Sequence, residues 1–268
     1  MDIIGTLQET YSALSIKEKA VASYLLQHPD KIKNTSIKEL AKRTETSPAT
    51  ITRLVKKLGM ENFVELKLAL NAVQTPEQKV VDRTDAVFDY YQKAIHYTRE
   101  MNTREMLERA VHRIMKANRL LVLGIGSSAL TAEEFCQRLL RMGLNASAVT
   151  DSHFMLISSS IVTTDDLVIG ISASGETVEV IESMKTAKEA GARTMSLTCF
   201  SKSTLAEISD EGLTAYSSSF IDNRRFINSQ FGMMYMIDVL STQLLEQPIL
   251  QQNMDRTVQV FSRTKSSH

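Results

Sequence analysis

The stretch LLVLGIGSSAL, residues 120–130, runs from a short apolar segment into a turn rich in glycine and serine. An apolar run of this length that ends in glycine is typical of a buried strand. The predicted strands are Leu120–Leu123, Ala146–Val149, Leu167–Ile171, Thr194–Thr198 and Leu213–Tyr216. Helical stretches separate them, which predicts an α/β fold: a doubly wound, five-stranded parallel sheet flanked by helices.

Two loops of this predicted sheet carry small hydroxyl side chains. Gly124–Ala129 follows the first strand, and Ser172–Thr177, with the sequence SASGET, follows the third. Ligands bind beyond the carboxyl ends of such strands, and free amides at a helix N-terminus favour an anion. Neither loop contains Lys or Arg, so we expect a sugar phosphate held by neutral donors, with its phosphate on the second loop. The predicted effector-binding residues are Ser127, Ser128, His153, Ser172, Ser174, Gly175, Glu176 and Thr177.

Two other interpretations of these loops stay open. Both loops could serve as helix N-caps without a ligand. Gly124–Ala129 also fits the pattern G-x-G-x-x-A of dinucleotide-binding folds, and Asp151 follows the second strand where such folds have a ribose-binding acid. A dinucleotide leaves the loop at 172–177 unexplained, so the sugar phosphate is preferred and no cofactor or metal is expected.

The first 75 residues have a wholly helical pattern. Ser15–Glu18 and Ser36–Glu39 have the spacing of capping boxes. Ser47 followed by Pro48 is a strong helix start, and Gly59 is a typical helix end. The residues predicted to face the core of this helix are Ile51, Leu54, Val55 and Leu58.

These boundaries predict a helix-turn-helix motif. A short helix over 37–43, a turn at 44–46 and a helix over 48–58 have its spacing. The second helix can enter the DNA major groove with Thr50 and Arg53 at base edges, while lysines near its end contact phosphates. The predicted DNA-binding residues are Ser36, Ser47, Ala49, Thr50, Thr52, Arg53, Lys56 and Lys57. The alternative is a helical bundle with a solvated basic face.

Composition and charge fit a two-domain cytoplasmic protein of 268 residues. No apolar stretch is long enough to span a membrane, and the two cysteines lack metal-ligand spacing, so both are expected to be reduced packing residues. Residues 1–75 carry 11 Lys and Arg against 8 Asp and Glu, which favours a DNA-facing N-terminus. The predicted parts are a helix-turn-helix domain at 1–75, a linker and connecting helix at 76–105, the sheet domain at 106–245, and a tail at 246–268 that is helical to about residue 262 and disordered beyond.

Both parts resemble known families. The segments GIGSS at 124–128 and SASGET at 172–177 resemble the sugar isomerase (SIS) domain. The pattern SIKELA…TSPATITRLVKKLG…FVELK, between residues 36 and 67, resembles the helix-turn-helix of RpiR-type regulators. The resemblance implies a dimeric or tetrameric regulator of carbohydrate metabolism, expected to be a repressor, whose effector is a phosphosugar. It also implies that the phosphate is held by hydroxyls of Ser127 or Ser128, Ser172, Ser174 and Thr177.

An SIS domain can also belong to a phosphosugar isomerase or lyase, which is the alternative function. Such chemistry needs a general base near the sugar, and the candidates are Glu133, Glu134 and His153. An isomerase has no need of a DNA-binding head, so a regulator without enzyme activity is preferred. Two heads joined by dimerisation are expected to bind two half-sites of a palindromic double-stranded operator, about one DNA turn or a multiple apart.

Overall fold

The N-terminal part of the protein is helical in the computed structural model, which describes residues 3–27, 32, 35–72, 83–217 and 228–265. The sequence also predicts a helix end at His28 and Pro29, and this position and residues 76–82 of the predicted linker lie outside the described residues. The helices are α1 (Ile3–Thr10), α2 (Ile16–Gln27), α3 (Ile37–Arg43), α4 (Pro48–Lys57) and α5 (Phe63–Ala72), with a 3-10 turn at Tyr11–Ala13.

Local hydrogen bonds set the ends of α3 and α4, as predicted. The Ser36 hydroxyl accepts from the Glu39 amide at 3.2 Å, and Ser47 accepts from the Thr50 amide at 3.2 Å with Pro48 at the first helical position. Gly59 ends α4 with a φ of 75°. These caps hold α3 and α4 at the spacing of a helix-turn-helix.

Apolar side chains from every one of these helices meet in one core. Ile51, Leu54, Val55 and Leu58 of α4 are buried there, which confirms the prediction for that helix. Leu40 of α3 and Leu66 of α5 are fully buried beside them. The side chains that pack α4 into the core are therefore those that the 3.6-residue helical period predicts to face it.

Two further helices precede the sheet. Helix α6 spans Arg83–Met101 and α7 spans Arg104–Lys116. By their packing the described residues divide into two compact units, one within Met1–Glu100 and Tyr216–Ser229 and the other within Met101–Ala215 and Gln230–His268.

Five parallel strands form the sheet in the order β2-β1-β3-β4-β5. The strands are β1 (Arg119–Gly124), β2 (Ala146–Val149), β3 (Asp166–Ser172), β4 (Arg193–Thr198) and β5 (Glu211–Thr214). The chain leaves β1 toward one edge and β3 toward the other, so the carboxyl ends of β1 and β3 form the topological switch point of a doubly wound sheet.

Helices cover both faces of this sheet. The helices that follow the strands are α8 (Ser127–Arg141), α9 (Ser152–Ser160), α10 (Val178–Glu189), α11 (Thr204–Ile208), α12 (Phe231–Leu244) and α13 (Pro248–Lys265). Helices α9, α10 and α11 pack together over one core that includes Leu121, Val168 and Met184. Helices α7, α8, α12 and α13 contact one another along a second layer. The predicted α/β class and five-stranded parallel sheet are confirmed.

The clearest differences from the predicted boundaries are at β5, which also ends at Thr214 rather than Tyr216, and in the C-terminal tail. Strand β5 begins at Glu211, two residues before the predicted start, because the guanidinium of Arg109 holds the buried Glu211 carboxylate at 2.9 and 3.0 Å. A charged residue with such a partner fits into a buried strand, and a local pattern does not reveal the partner. Helix α13 continues to Lys265, so the predicted disorder beyond about residue 262 is wrong for 263–265.

The two cysteines are buried and unpaired with each other, as predicted. Cys136 is 4% exposed in α8 and Cys199 is 1% exposed at the end of β4. Burial raises the pKa of the Cys136 thiol to about 12. Both are therefore packing residues.

A buried carboxylate at the start of β3 predicts a pH dependence of stability. Burial alone raises the pKa of Asp166, but bonds from the Thr163 amide (2.8 Å) and the Arg119 guanidinium (2.9 Å) outweigh it, and the net pKa lies below its usual value. Stability from a lowered pKa is complete above about pH 4 and is lost as the pH falls through the folded-state pKa. Asp166→Asn is therefore expected to melt with a flatter dependence on pH as the pH falls below about 4.

The matched control for that melting series is Asp165→Asn. Asp165 is the exposed neighbour of the buried Asp166, so its replacement leaves the Thr163 and Arg119 bonds in place. An equal flattening in both variants would refute the assignment to Asp166.

Candidate effector and DNA-binding sites

The two hydroxyl-rich loops are neighbours at the switch point of the sheet. Gly124, the last residue of β1, lies in register beside Ile171 of β3, so the loops that follow leave adjacent strand ends. The first loop opens α8 at Ser127, and the second opens α10 at Val178. The predicted convergence of both loops on one edge is therefore observed.

Glycine allows the first loop to turn tightly against its own helix. A Cβ at Gly124 would lie 2.5 Å from the Ser128 carbonyl oxygen, a distance that side chains do not tolerate. Gly126 has φ 60° and ψ −127°, a conformation that glycine adopts readily. The turn brings Ser127 to the exposed start of α8.

Hydroxyl groups hold the second loop together. The Ser172 hydroxyl lies 2.8 Å from that of Thr177 and accepts from the Gly175 amide at 3.1 Å. Ser174 accepts from the Glu176 amide at 3.1 Å. Ser172 is 2% exposed, whereas Ser174 and Thr177 are half-buried. The buried Ser172 therefore stabilises the loop from within, and the hydroxyls of Ser174 and Thr177 are the more accessible ones.

The helices that open at these two loops begin without side-chain caps. Neither Gly126 before α8 nor Thr177 before α10 caps its helix with a side chain, since the Thr177 hydroxyl turns to Ser172. Most other helix starts in the described part of the chain have capping side chains, among them Ser36, Ser47, Thr103, Asp151 and Ser203, whereas Gln230 before α12 does not cap its helix. At α8 the Ser128 and Ala129 amides donate to the Ile125 and Gly126 carbonyls at 3.2 and 3.1 Å. Within the described residues, the Ser127 amide and the first-turn amides of α10 are therefore the donors left open at the positive ends of two helix dipoles.

Several predicted effector residues have partners inside the protein. Ser128 is 6% exposed and its hydroxyl lies 3.5 Å from the Gln230 amide oxygen. The Glu176 carboxylate accepts from the Thr204 amide at 2.9 Å and its hydroxyl at 2.7 Å, so it ties the second loop to α11. His153 is exposed on the first turn of α9.

Gln230 is a residue that the sequence analysis missed. It immediately precedes α12, and its amide oxygen accepts from the hydroxyl of Thr131, in the second turn of α8, at 3.0 Å. Gln230 follows Ser128 by 102 positions in the chain, and no motif surrounds it. No local pattern indicates such a contact.

The residues behind the two alternative functions have structural partners. Asp151, the candidate ribose-binding acid, caps α9 by accepting from the Phe154 amide at 3.0 Å. Glu134 forms an ion pair with Arg138 at 2.8 Å, while Glu133 is exposed. An acid that serves as an N-cap is not specific evidence for a dinucleotide.

One face of α4 presents most of the predicted DNA-binding residues to solvent. The exposed members of the predicted set are Ser36, Ser47, Ala49, Thr52, Arg53, Lys56 and Lys57. Thr50 is not among them: it is 2% exposed, and its hydroxyl lies 3.0 Å from that of Ser47. The prediction that Thr50 faces the groove is wrong, because bonding to the N-cap turns this short polar side chain inward. Lys57 contacts Glu18.

Comparison with known proteins agrees with this architecture. Residues 1–82 match the helix-turn-helix domain of the rpiR family, and residues 113–242 match the SIS domain. The HTH-type transcriptional regulator YbbH of Bacillus subtilis is 31% identical over 249 residues, which cover 88% of each chain. The chain belongs to the RpiR family. It is an HTH-type transcriptional regulator that carries an SIS domain.

Two solved structures are similar in fold to this RpiR-family regulator. NanR of Vibrio vulnificus, solved with ManNAc-6P, is 27% identical with a TM-score of 0.63, covering 97% of this chain and 98% of NanR. The sugar isomerase domain of an RpiR transcription factor from Sphaerobacter thermophilus is 25% identical with a TM-score of 0.60, covering 65% of this chain and 96% of that domain. Among the described residues, no helix has both the length and the hydropathy to cross a bilayer.

Proposed function

We propose that this RpiR-family regulator binds a phosphorylated sugar between its two hydroxyl-rich loops and that the bound sugar changes its affinity for DNA. The genes controlled would be those of carbohydrate metabolism, with the regulator acting in the cytoplasm as a repressor that the sugar releases. The observation that carries the proposal is the pair of uncapped N-termini of α8 and α10, side by side at the switch point.

An anion is the ligand that such a pair of helix ends favours. The Ser127 amide and the first-turn amides of α10 supply donors, and two helix dipoles supply partial positive charge without Lys or Arg in either loop. The phosphate would take the amides at the start of α10 with the hydroxyls of Ser174 and Thr177. NanR, which is similar along nearly its whole length and was solved with ManNAc-6P, supports a phosphosugar as the class of ligand.

The other predicted effector residues take supporting roles in this proposal. Ser127, exposed at the start of α8, and His153, exposed on α9, would contact the sugar hydroxyls. Ser128 and Ser172 would hold the two loops in shape from within, and Gly175 gives the second loop its turn. Glu176 would act through Thr204, which fixes the loop above α11.

A thermal-shift experiment tests the effector site. ManNAc-6P and other sugar phosphates are compared with their unphosphorylated sugars, with inorganic phosphate and with NAD. At about 100 times its dissociation constant, a true effector stabilises the protein by about 2.7 kcal/mol. Ser174→Ala is expected to lose most of this shift because it removes a hydroxyl at the phosphate. Ser160→Ala, at the far end of α9, is the control and should keep the parent's shift.

Three outcomes would overturn this part of the proposal. A shift with NAD alone would favour the dinucleotide, and turnover of a sugar phosphate by the pure protein would favour an isomerase or lyase. An unchanged response of Ser174→Ala would exclude the loop at 172–177.

Arg53 is the proposed base-reading residue of the DNA-binding face. It lies exposed on α4, with a guanidinium nitrogen 3.5 Å from the Thr50 hydroxyl, and its planar fork suits guanine. Arg53→Ala is expected to lose about 1–3 kcal/mol of base discrimination in competition binding to an operator selected from a random library. Lys56→Ala should instead weaken binding to all sequences alike, because a lysine on phosphate reads no base. An unchanged sequence preference in Arg53→Ala would remove it from the reading set.

Two copies of the chain would act together on DNA. A palindromic operator with half-sites about one turn or a multiple apart matches a two-fold pair of helix-turn-helix heads. The sugar can change DNA affinity only by binding two conformations of the protein unequally. The effector that stabilises the protein should therefore also shift a DNA-binding curve measured in its presence.

A further inference from the structure

We propose that Lys57 is a positioning residue that fixes the recognition helix α4 to the start of α2, rather than a contact to the DNA phosphates. The proposal rests on the proposed DNA binding by α4 and replaces the phosphate role first expected for this lysine. It divides two adjacent lysines, Lys56 and Lys57, into different functions.

The ammonium group of Lys57 has two partners from outside its helix. It lies 2.9 Å from a carboxylate oxygen of Glu18 and donates to the Ala13 carbonyl at 3.0 Å. These partners precede Lys57 by 39 and 44 positions, so they tie the last residue of α4 to the segment that leads into α2. Lys56 is exposed, and no ion pair forms at it in the described part of the chain.

Ser15 also holds Glu18 in place, independently of Lys57. The Ser15 amide donates to the same carboxylate oxygen at 2.7 Å, and the Ser15 hydroxyl accepts from the Glu18 amide at 3.4 Å. This capping box leaves Glu18 only 3% exposed. Burial raises the pKa of Glu18, but the bonds from Lys57 and Ser15 outweigh burial and lower it overall.

A buried carboxylate makes the departure of Lys57 unfavourable. If Lys57 moved to a phosphate, the little-exposed Glu18 carboxylate would lose its cation and keep the Ser15 capping box as its support, which is unfavourable. Lys56 can bind a phosphate without breaking any such pair. A phosphate contact would therefore break an ion pair at Lys57 but not at Lys56.

The pair also controls how α4 is presented. Ser47 caps the N-terminus of α4 locally, whereas Lys57 anchors the other end to a different helix. Side chains at the start of a recognition helix reach base edges only if the helix is correctly oriented in the DNA major groove. Loss of the anchor is therefore expected to weaken DNA binding through the orientation of α4, with the number of phosphate contacts unchanged.

Salt dependence separates the two roles. Each phosphate contact contributes about −0.9 to the slope of log affinity against log salt for duplex DNA, whatever its sequence. A short duplex of random sequence therefore serves as the probe, well below the melting temperature of each variant. Lys56→Gln is expected to reduce the slope by about 0.9. Lys57→Gln should keep the slope of the parent and lower the affinity by the same factor, roughly tenfold, at every salt concentration.

Glu18→Gln gives the sharpest contrast. Removing an acidic group should strengthen DNA binding if only net charge matters. The anchor predicts the opposite, a loss similar to that of Lys57→Gln, because Lys57 then lacks its fixed partner. Lys57→Arg, which keeps a cation with several donors, should restore most of the affinity.

Each outcome decides the proposal. A slope reduced in Lys57→Gln as in Lys56→Gln, or tighter binding by Glu18→Gln, would overturn it. If the parent chain shows no salt-dependent DNA binding, the proposed function fails and takes the positioning role with it. In that case equal melting temperatures of parent, Glu18→Gln and Lys57→Gln would show separately that the pair does not hold the N-terminal unit together.

Discussion

Gly175→Ala is expected to abolish the response to the effector and to lower the free energy of unfolding by about 3–5 kcal/mol. Gly175 has a φ of 66°, which side chains rarely adopt, and an added Cβ would overlap the Ser203 side chain and lie 2.7 Å from the Thr198 hydroxyl oxygen. Ser203 is itself fully buried as the N-cap of α11, so it has no room to move away. The loop must shift, and its hydroxyls with it.

Gly126→Ala is the matched control for this substitution. Gly126 also has a positive φ, 60°, but a Cβ there meets no atom within 4 Å. Its cost is backbone strain alone, of order 1–3 kcal/mol. Denaturant unfolding of the two variants measures the difference. Equal losses would mean that the contact with Ser203 and Thr198 has no effect, which contradicts the geometry.

Asn102→Leu is expected to cost about 2–5 kcal/mol of unfolding free energy, although the two side chains are similar in size. The Asn102 amide nitrogen donates to the Thr214 carbonyl at 2.7 Å, and its amide oxygen accepts from the Thr214 amide at 2.9 Å. The side chain thereby pairs with the end of β5 as another strand would. Asn102 is 7% exposed and Thr214 is 5% exposed, so the leucine variant leaves two buried backbone groups without this partner.

Two variants make that measurement specific. Asn102→Asp places a carboxylate oxygen against the Thr214 carbonyl oxygen, so its loss should be large at a pH where the carboxylate is charged and smaller where it is protonated and can donate. Asn145→Leu removes an exposed asparagine with one long bond, 3.4 Å, to the Asn118 carbonyl. Chemical denaturation that found Asn102→Leu as stable as Asn145→Leu would show that Thr214 does not depend on this side chain.

Much of the fold follows from local signals in the sequence. Ser36, Ser47 and Pro48 mark helix starts through bonds to residues three positions away, and Gly59 marks an end through its own conformation. Apolar runs identify the buried strands because a parallel sheet is covered on both faces. These signals lie within a few residues of the feature that they predict.

The exposure of some hydroxyl side chains does not follow from their polarity. Thr50 is predicted to face the groove with Arg53, yet its hydroxyl is satisfied by Ser47 and the side chain turns inward. Ser172 likewise bonds within its own loop. A short hydroxyl side chain can satisfy its hydrogen bonds nearby, so its polarity does not determine its exposure.

Distant pairs are the part of the site that no local pattern contains. Lys57 meets Glu18, Glu176 meets Thr204, and Ser128 meets Gln230 only after the chain has folded. The separations of 39, 28 and 102 positions carry no period or spacing rule. Each pair changes the role expected for a predicted site residue, namely Lys57, Glu176 or Ser128.

Because both cysteines are buried, alkylation of Cys199 can report the opening of the second loop, residues 172–177. The Cys199 amide donates to the Ala173 carbonyl at 3.1 Å, and its side chain is 1% exposed beneath the second loop. A thiol reagent attacks only an accessible thiolate, so it reaches Cys199 when that loop lifts away. Cys136, buried in α8, reports opening elsewhere in the same unit. The ratio of the two modification rates therefore follows local opening of the loop with no label added, and an effector that closes the loop should slow the modification of Cys199 more than that of Cys136.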